Sequence, residues 1–186
     1  MEKVLVTGAT GYIALHCVQQ LLDKGYAVNR SIRSPERKNE IIDALKNSNT
    51  STENLNLFTF NLTSDDGWDA GMEGCDYVLH VASPLALENH TEDYFVKPAV
   101  EGAMRALKFA KKHNVKKVVL TSSVAAIFET GIEKVDYDEN DWSDPDNPKI
   151  SNYAKSKTLA EKAAWDFLDQ EDNPFEFAVI NPALVI

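Results

Sequence analysis

The chain is predicted to form a doubly wound α/β fold: one parallel sheet in the strand order 3-2-1-4-5-6, with helices on both faces, three layers in all. Three observations predict it. Short apolar runs alternate with segments of helical period from one end of the chain to the other. The central runs are apolar throughout, as in Tyr77-Val78-Leu79-His80-Val81, which is how strands covered on both faces read. Right-handed crossovers between such strands leave few orders, and the doubly wound one sets the carboxyl ends of strands one and four beside the switch point.

The elements follow in turn. Val4-Leu5-Val6 is a short strand bounded by Thr7-Gly8, and residues 12–24 have helical spacing through Ile13, Val18, Leu21 and Leu22. Gly25 suits a helix C-terminus, Ala27 to Ile32 is a second strand, and a polar helix is predicted over 35–46. Residues 47–54 read as loop and 55–60 as a third strand. After the fourth strand at 77–81 come a long helix over 93–113, a fifth strand at 117–121 and an acidic loop over 133–147. A helix over 152–169 and a sixth strand over 175–180 complete the pattern.

With 186 residues, 44% hydrophobic and 26% charged, the chain is expected to bury one core and form one domain over 1–186. A formal charge of -10 argues against nonspecific nucleic-acid binding, so any anion site must be local. The absence of a long apolar run, and the direct entry of Met1-Glu2-Lys3 into a strand, give the expectation of a cytoplasmic protein without membrane partners. Cys17 and Cys75 lack metal-ligand spacing and are expected to be buried thiols; Trp68, Trp142 and Trp165 are expected to pack.

Two segments carry chemistry. Thr7-Gly8-Ala9-Thr10-Gly11-Tyr12-Ile13-Ala14 lies between a strand and a helix, where glycines let the backbone turn sharply and approach the phosphates of a dinucleotide at the helix N-terminus. Tyr153 and Lys157 are one helical turn apart, so the ammonium favours the phenolate and makes the phenol a usable acid. Thr121-Ser122-Ser123 ends the fifth strand, with Ser123 the first choice for a hydroxyl that stabilises an oxyanion and Ser122 the alternative. The second strand ends in Asn29-Arg30-Ser31-Ile32-Arg33-Ser34 without a carboxylate. Arg33 is therefore the expected partner of a 2′-phosphate, assisted by Ser34, Arg37 or Lys38. His80 is expected to be a hydrogen-bonded core histidine. The acids over 136–146 lack cation-ligand spacing and read as a solvated loop; no metal site is expected.

On these residues the chain resembles the extended short-chain dehydrogenase/reductases, in the branch of dihydroflavonol reductases, cinnamoyl-CoA reductases and yeast-type methylglyoxal/aldehyde reductases. The segments Val6 to Ala14, His80 to Pro84, Lys97 to Gly102, Val119 to Ser123 and Tyr153 to Glu161 carry the resemblance in order along the whole chain. It implies a Rossmann domain that binds NADP(H) in preference to NAD(H) and reduces an aldehyde or ketone, or oxidises the corresponding alcohol. It further implies Ser123, Tyr153 and Lys157 as catalytic residues, with Thr7, Gly8, Thr10, Gly11, Tyr12 and Ile13 at the pyrophosphate. Arg33 and Lys38 then belong to the 2′-phosphate, Asn61 and Leu62 to the adenine, Val81, Ala82 and Ser83 to the cofactor wall, and Pro182 and Val185 to the nicotinamide; Tyr153 and Lys157 also touch the cofactor. The helices over 93–113 and 152–169 form a dimer bundle in such proteins, which makes a homodimer an expectation. Asn61 stands where many relatives have Asp, and Ala99 where sugar-nucleotide epimerases have Asn. The family continues beyond the position of Ile186 into a substrate-binding part, so the chain is expected to lack most of that part. A truncated cofactor-binding module without turnover, and an NAD-dependent epimerase relative, are the alternative readings.

Overall fold

The computed structural model describes residues 1–8, 11–85, 90–129 and 134–185. The apolar runs become β1 (Lys3–Val6), β2 (Ala27–Ile32), β3 (Leu55–Thr59), β4 (Tyr77–His80), β5 (Lys117–Thr121) and β6 (Glu176–Ile180). They form one sheet in the order β3-β2-β1-β4-β5-β6, parallel at every pairing. The expected strand order is the observed one.

Between the strands lie α1 (Tyr12–Asp23), α2 (Lys38–Asn47), α3 (Trp68–Met72), α4 (Glu92–Lys112) and α5 (Asn152–Gln170). Alternation along each strand sends successive side chains to opposite faces. Val4, Val6, Val28 and Ile32 join Ala14 and Val18 of α1 and Ile41 and Leu45 of α2 in one apolar layer. Leu5, Val78, Val118 and Leu120 form the other layer with α3, α4 and α5. These are the three layers the sequence predicted.

Several details differ from expectation. The helix predicted over 35–46 is split into a single 3-10 turn, Pro35–Arg37, and α2. Pro35 opens that turn, where its missing N–H costs no bond. The five-residue α3 and the turn Val124–Ala126 are too short to show a period in sequence. Pro98 lies inside α4. Cys75 is buried, but Cys17 is half-buried on α1, and Trp165 is 40% exposed although its ring meets Phe177 edge-on.

The adenine-side expectation falls on the segment after β3. Gly102 of α4 gives Leu62 room: a Cβ there would stand 2.7 Å from Leu62 Cδ2. Arg105 then donates from Nη1 to the Leu62 carbonyl at 2.7 Å and from Nε to Asp65 at 2.7 Å. Among the described residues no helix is long and apolar enough to cross a membrane.

Candidate active site

β1 leads into Thr7, whose side chain is buried where β1 meets β4. Its hydroxyl accepts the N–H groups of Val81 and Ala82, each at 3.1 Å, and stands 3.0 Å from His80 Nδ1. With its lone pairs engaged by two amides, the hydroxyl donates its proton to Nδ1, which fixes a neutral His80 with the proton on Nε2. Burial, and next the Lys157 charge, push the His80 pKa down to about 3, so the ring stays neutral. His80 is thus the hydrogen-bonded core histidine the sequence suggested, and it ties the end of β4 to the end of β1.

Gly8 turns the chain at φ +84, and a Cβ on it would stand 2.9 Å from both Cα and N of Ala82. Only glycine fits both the backbone angle and this close approach. Its N–H donates to Ser31 Oγ at 3.2 Å, and Gly11 N–H closes the turn onto the Gly8 carbonyl at 3.0 Å. Gly11 caps α1 without a side-chain hydrogen bond, and no acidic residue occupies the first turn. This helix end keeps its amide donors and its partial positive charge for an anion. Tyr12 is exposed and Ile13 half-buried beside it; Thr10 lies outside the described residues.

At the end of β2, Arg33 and Lys38 are exposed. Two of the expected assistants are engaged by carboxylates: Ser34 bonds to Glu36, and Arg37 Nε donates to Glu40 at 2.9 Å. Asn61 turns its Oδ1 back to Thr63 N at 2.8 Å, which leaves its amide NH2 rather than its oxygen for a base. Val81, Ala82 and Ser83 are half-buried along the edge of the turn.

The second half of the site stands on β5 and α5. Ser151 caps α5 by accepting from Ala154 N–H at 3.1 Å, and is itself held by Glu129. Lys157, 5% exposed, donates from Nζ to the Thr121 carbonyl at 3.2 Å and sits 5.7 Å from the Tyr153 ring centroid. Burial lowers its pKa to about 8, while Glu161 opposes the shift. Tyr153 meets Phe95 of α4 edge-on at 6.3 Å between ring centroids. Ser123 Oγ accepts from Ala125 N–H at 3.2 Å, which leaves its own proton free to donate. Ser122 Oγ is buried without a hydrogen-bond partner among the described residues, and lines a small cavity with His80, Lys157 and Glu161. Pro182 accepts Val124 N–H at 3.0 Å, so the chain leaving β6 runs beside Ser123; Val185 is 47% exposed beyond it.

Sequence reasoning did not find two further residues. Asn181 donates to the Ser123 carbonyl at 3.1 Å and to Glu161 at 2.9 Å, joining β5, β6 and α5 at the site. Arg30, 0% exposed, lies in the middle of β2, and among the described residues none of its guanidinium nitrogens is bonded. The uncapped α1 end and the exposed Arg33 and Lys38 fit a phosphorylated dinucleotide. Among the described residues no group of three His, Cys, Asp or Glu side chains is placed to hold a metal ion.

Comparison with known proteins agrees with this fold. The model of the NAD dependent epimerase/dehydratase family matches residues 4–186. Dihydroflavonol 4-reductase of Arabidopsis thaliana is 38% identical over 192 residues, covering 100% of this chain and 50% of that protein. Cinnamoyl-CoA reductase CAD2 of Medicago truncatula is 39% identical over 190 residues, covering 98% and 57%. The structure of yeast methylglyoxal/isovaleraldehyde reductase Gre2 complexed with NADPH aligns with a TM-score of 0.83 at 30% identity, over 97% of this chain and 57% of that one. The chain spans about half the length of the curated relatives it matches.

Proposed function

The chain belongs to the NAD dependent epimerase/dehydratase family, and from that premise we propose that it is the cofactor-binding Rossmann part of an NADP-dependent oxidoreductase that reduces an aldehyde or ketone. The buried Lys157, one helical turn from Tyr153 and bonded to the end of β5, is the observation that carries this reading. Reductases among the relatives support it, as does the NADPH bound by the yeast protein.

When bound, NADPH supplies hydride to the carbonyl carbon. Tyr153 gives a proton to the carbonyl oxygen as the general acid. Lys157, one helical turn away, offers donors to the nicotinamide ribose. Ser123 keeps a free O–H for the same oxygen, where a donor stabilises charge as it develops. Thr7, Gly8, Thr10, Gly11, Tyr12 and Ile13 hold the pyrophosphate, and Arg33 with Lys38 takes the 2′-phosphate. Asn61 and Leu62 flank the adenine; Val81, Ala82, Ser83, Pro182 and Val185 line the remainder.

Titration of the purified chain with NADPH and NADH, read by nicotinamide fluorescence and followed by a panel of small aldehydes and ketones, tests the proposal. Tighter binding of NADPH is expected, with turnover that falls at least about 100-fold in Tyr153→Phe while cofactor affinity is kept. Binding of neither cofactor overturns the reading, and so does a Tyr153→Phe variant as active as the parent. Binding without turnover favours a second reading, a cofactor-binding module.

A further inference from the structure

Arg30 has no role in the reading above, and its surroundings are unusual for an arginine. Its register partners are Val6 on β1 and Leu57 on β3. Asn29, the preceding residue, points to the α3 side, where its Nδ2 donates to the Gly71 carbonyl at 2.8 Å. Alternation therefore sends Arg30 to the opposite face, into the apolar layer of Val4, Val28 and Ile32 beneath α1 and α2. Nε, Nη1 and Nη2 are all buried, with no hydrogen-bond partner among the described residues. Burial lowers the pKa to about 10, which still leaves a full positive charge at neutral pH. A buried charge without a partner is strongly destabilising, and five N–H donors in a rigid fork are unmatched there.

The position of Arg30 in the sheet indicates what completes it. Val6, its neighbour across β1, is the last residue before the Thr7-Gly8 turn. Ser31, the next residue on β2, already accepts the Gly8 N–H. On Arg30's own face, Val28 and Ile32 to either side both belong to the apolar layer. The turn that follows Val6 leads into α1, whose N-terminus carries no side-chain cap. A planar guanidinium and a row of helix amides are complementary to one phosphate, which accepts from both at once.

We propose that Arg30 is a phosphate-binding residue, which together with Gly8, Gly11 and the amino end of α1 binds a phosphate of an adenine dinucleotide. This rests on the cofactor reading above and extends it from the exposed Arg33 to a buried cation. The phosphate belongs either to the pyrophosphate or to the 2′ position, and the two are separated by comparing cofactors.

The experiment uses the purified chain with Arg30→Met, which keeps length and removes charge, and Arg30→Gln as a second neutral variant. NADPH and NADH affinities are measured by fluorescence, and the melting temperature is recorded without ligand. Arg30→Met is expected to melt no lower than the parent, because an unpaired cation leaves an apolar layer, yet to bind NADPH about 10- to 100-fold more weakly. An equal loss for NADH assigns the pyrophosphate, and an unchanged NADH affinity assigns the 2′-phosphate. Affinities for both cofactors within about twofold of the parent's overturn the proposal. If Arg30→Met does not fold, Arg30→Gln is judged by the same affinities; if neither folds, Arg30 is a structural residue and the proposal is overturned. A parent chain that binds neither cofactor rejects the cofactor reading itself. That outcome is distinct from a parent that binds and a variant that binds equally well.

Discussion

β2 is buried at every position, whereas β6 has no fully buried residue and exposes Glu176 and Ile180. The β2 flank carries α1 and α2 on one face and α3 on the other, and it is the flank of the glycine turn and of Arg30 and Arg33. On the β6 flank, Phe177 and Val179 pack toward the layer of α4 and α5, while alternation turns Ile180 to the other face, where it is 54% exposed. Tyr153, Lys157 and Ser123 stand on this second flank. In the proposed reading, the parts that hold a dinucleotide and position a carbonyl are therefore built to different degrees of closure. Cofactor affinity is expected to be a property of the closed flank, and rate a property of whatever excludes water over the open one.

Three perturbations probe that contrast. Gly8→Val is expected to have the largest effect: a β-branched residue at φ +84 with its Cβ against Ala82 costs at least about 3 kcal/mol. Chemical denaturation with a nucleotide titration should record both a lower midpoint and loss of binding; a variant that binds normally would show the turn to be slack.

An intermediate effect comes from acid. Below about pH 6.5 the unfolded chain protonates His80, whereas the folded chain does not until about pH 3, because burial holds its pKa there. The unfolded state thus binds the extra proton in this window, and stability falls as pH falls through it, by up to about 1.4 kcal/mol per pH unit. In His80→Gln the slope of unfolding free energy against pH should be shallower by that amount. Identical slopes would mean that His80 titrates in the folded chain.

The smallest change is expected at the open flank. Ile180→Lys should alter stability by no more than about 0.5 kcal/mol, as surface substitutions do, and leave NADPH affinity unchanged. A large loss in thermal unfolding would mean that the β6 face is covered in solution, and the contrast between the flanks would collapse.

Where the sequence could be read, spacing along one element was sufficient. Ala27–Ile32 and Lys117–Thr121 are observed at the predicted bounds, and α5 differs from prediction by one residue at its end. Gly8, Gly11, Tyr153 and Lys157 were legible because a turn and a helical repeat are local geometries. What escaped depends on register between distant strands. Arg30 reads as part of a basic edge beside Arg33 until pairing with Val6 puts it in the core. Thr7 meets His80 only because β1 lies beside β4, and Asn181 reaches Glu161 only across the end of β5. The five residues of α3 contain too few apolar positions for any period to emerge.

Gly102 and Phe95 both belong to α4, about two turns apart, roughly 10 Å along the axis. One supports Leu62 in the segment proposed to flank the adenine, and the other meets the ring of Tyr153. α4 thus acts as a spacer of fixed length between the two ends of the proposed site. An insertion of one residue between them would rotate one contact by about 100° relative to the other, so this interval tolerates substitution far better than a change in its number of residues.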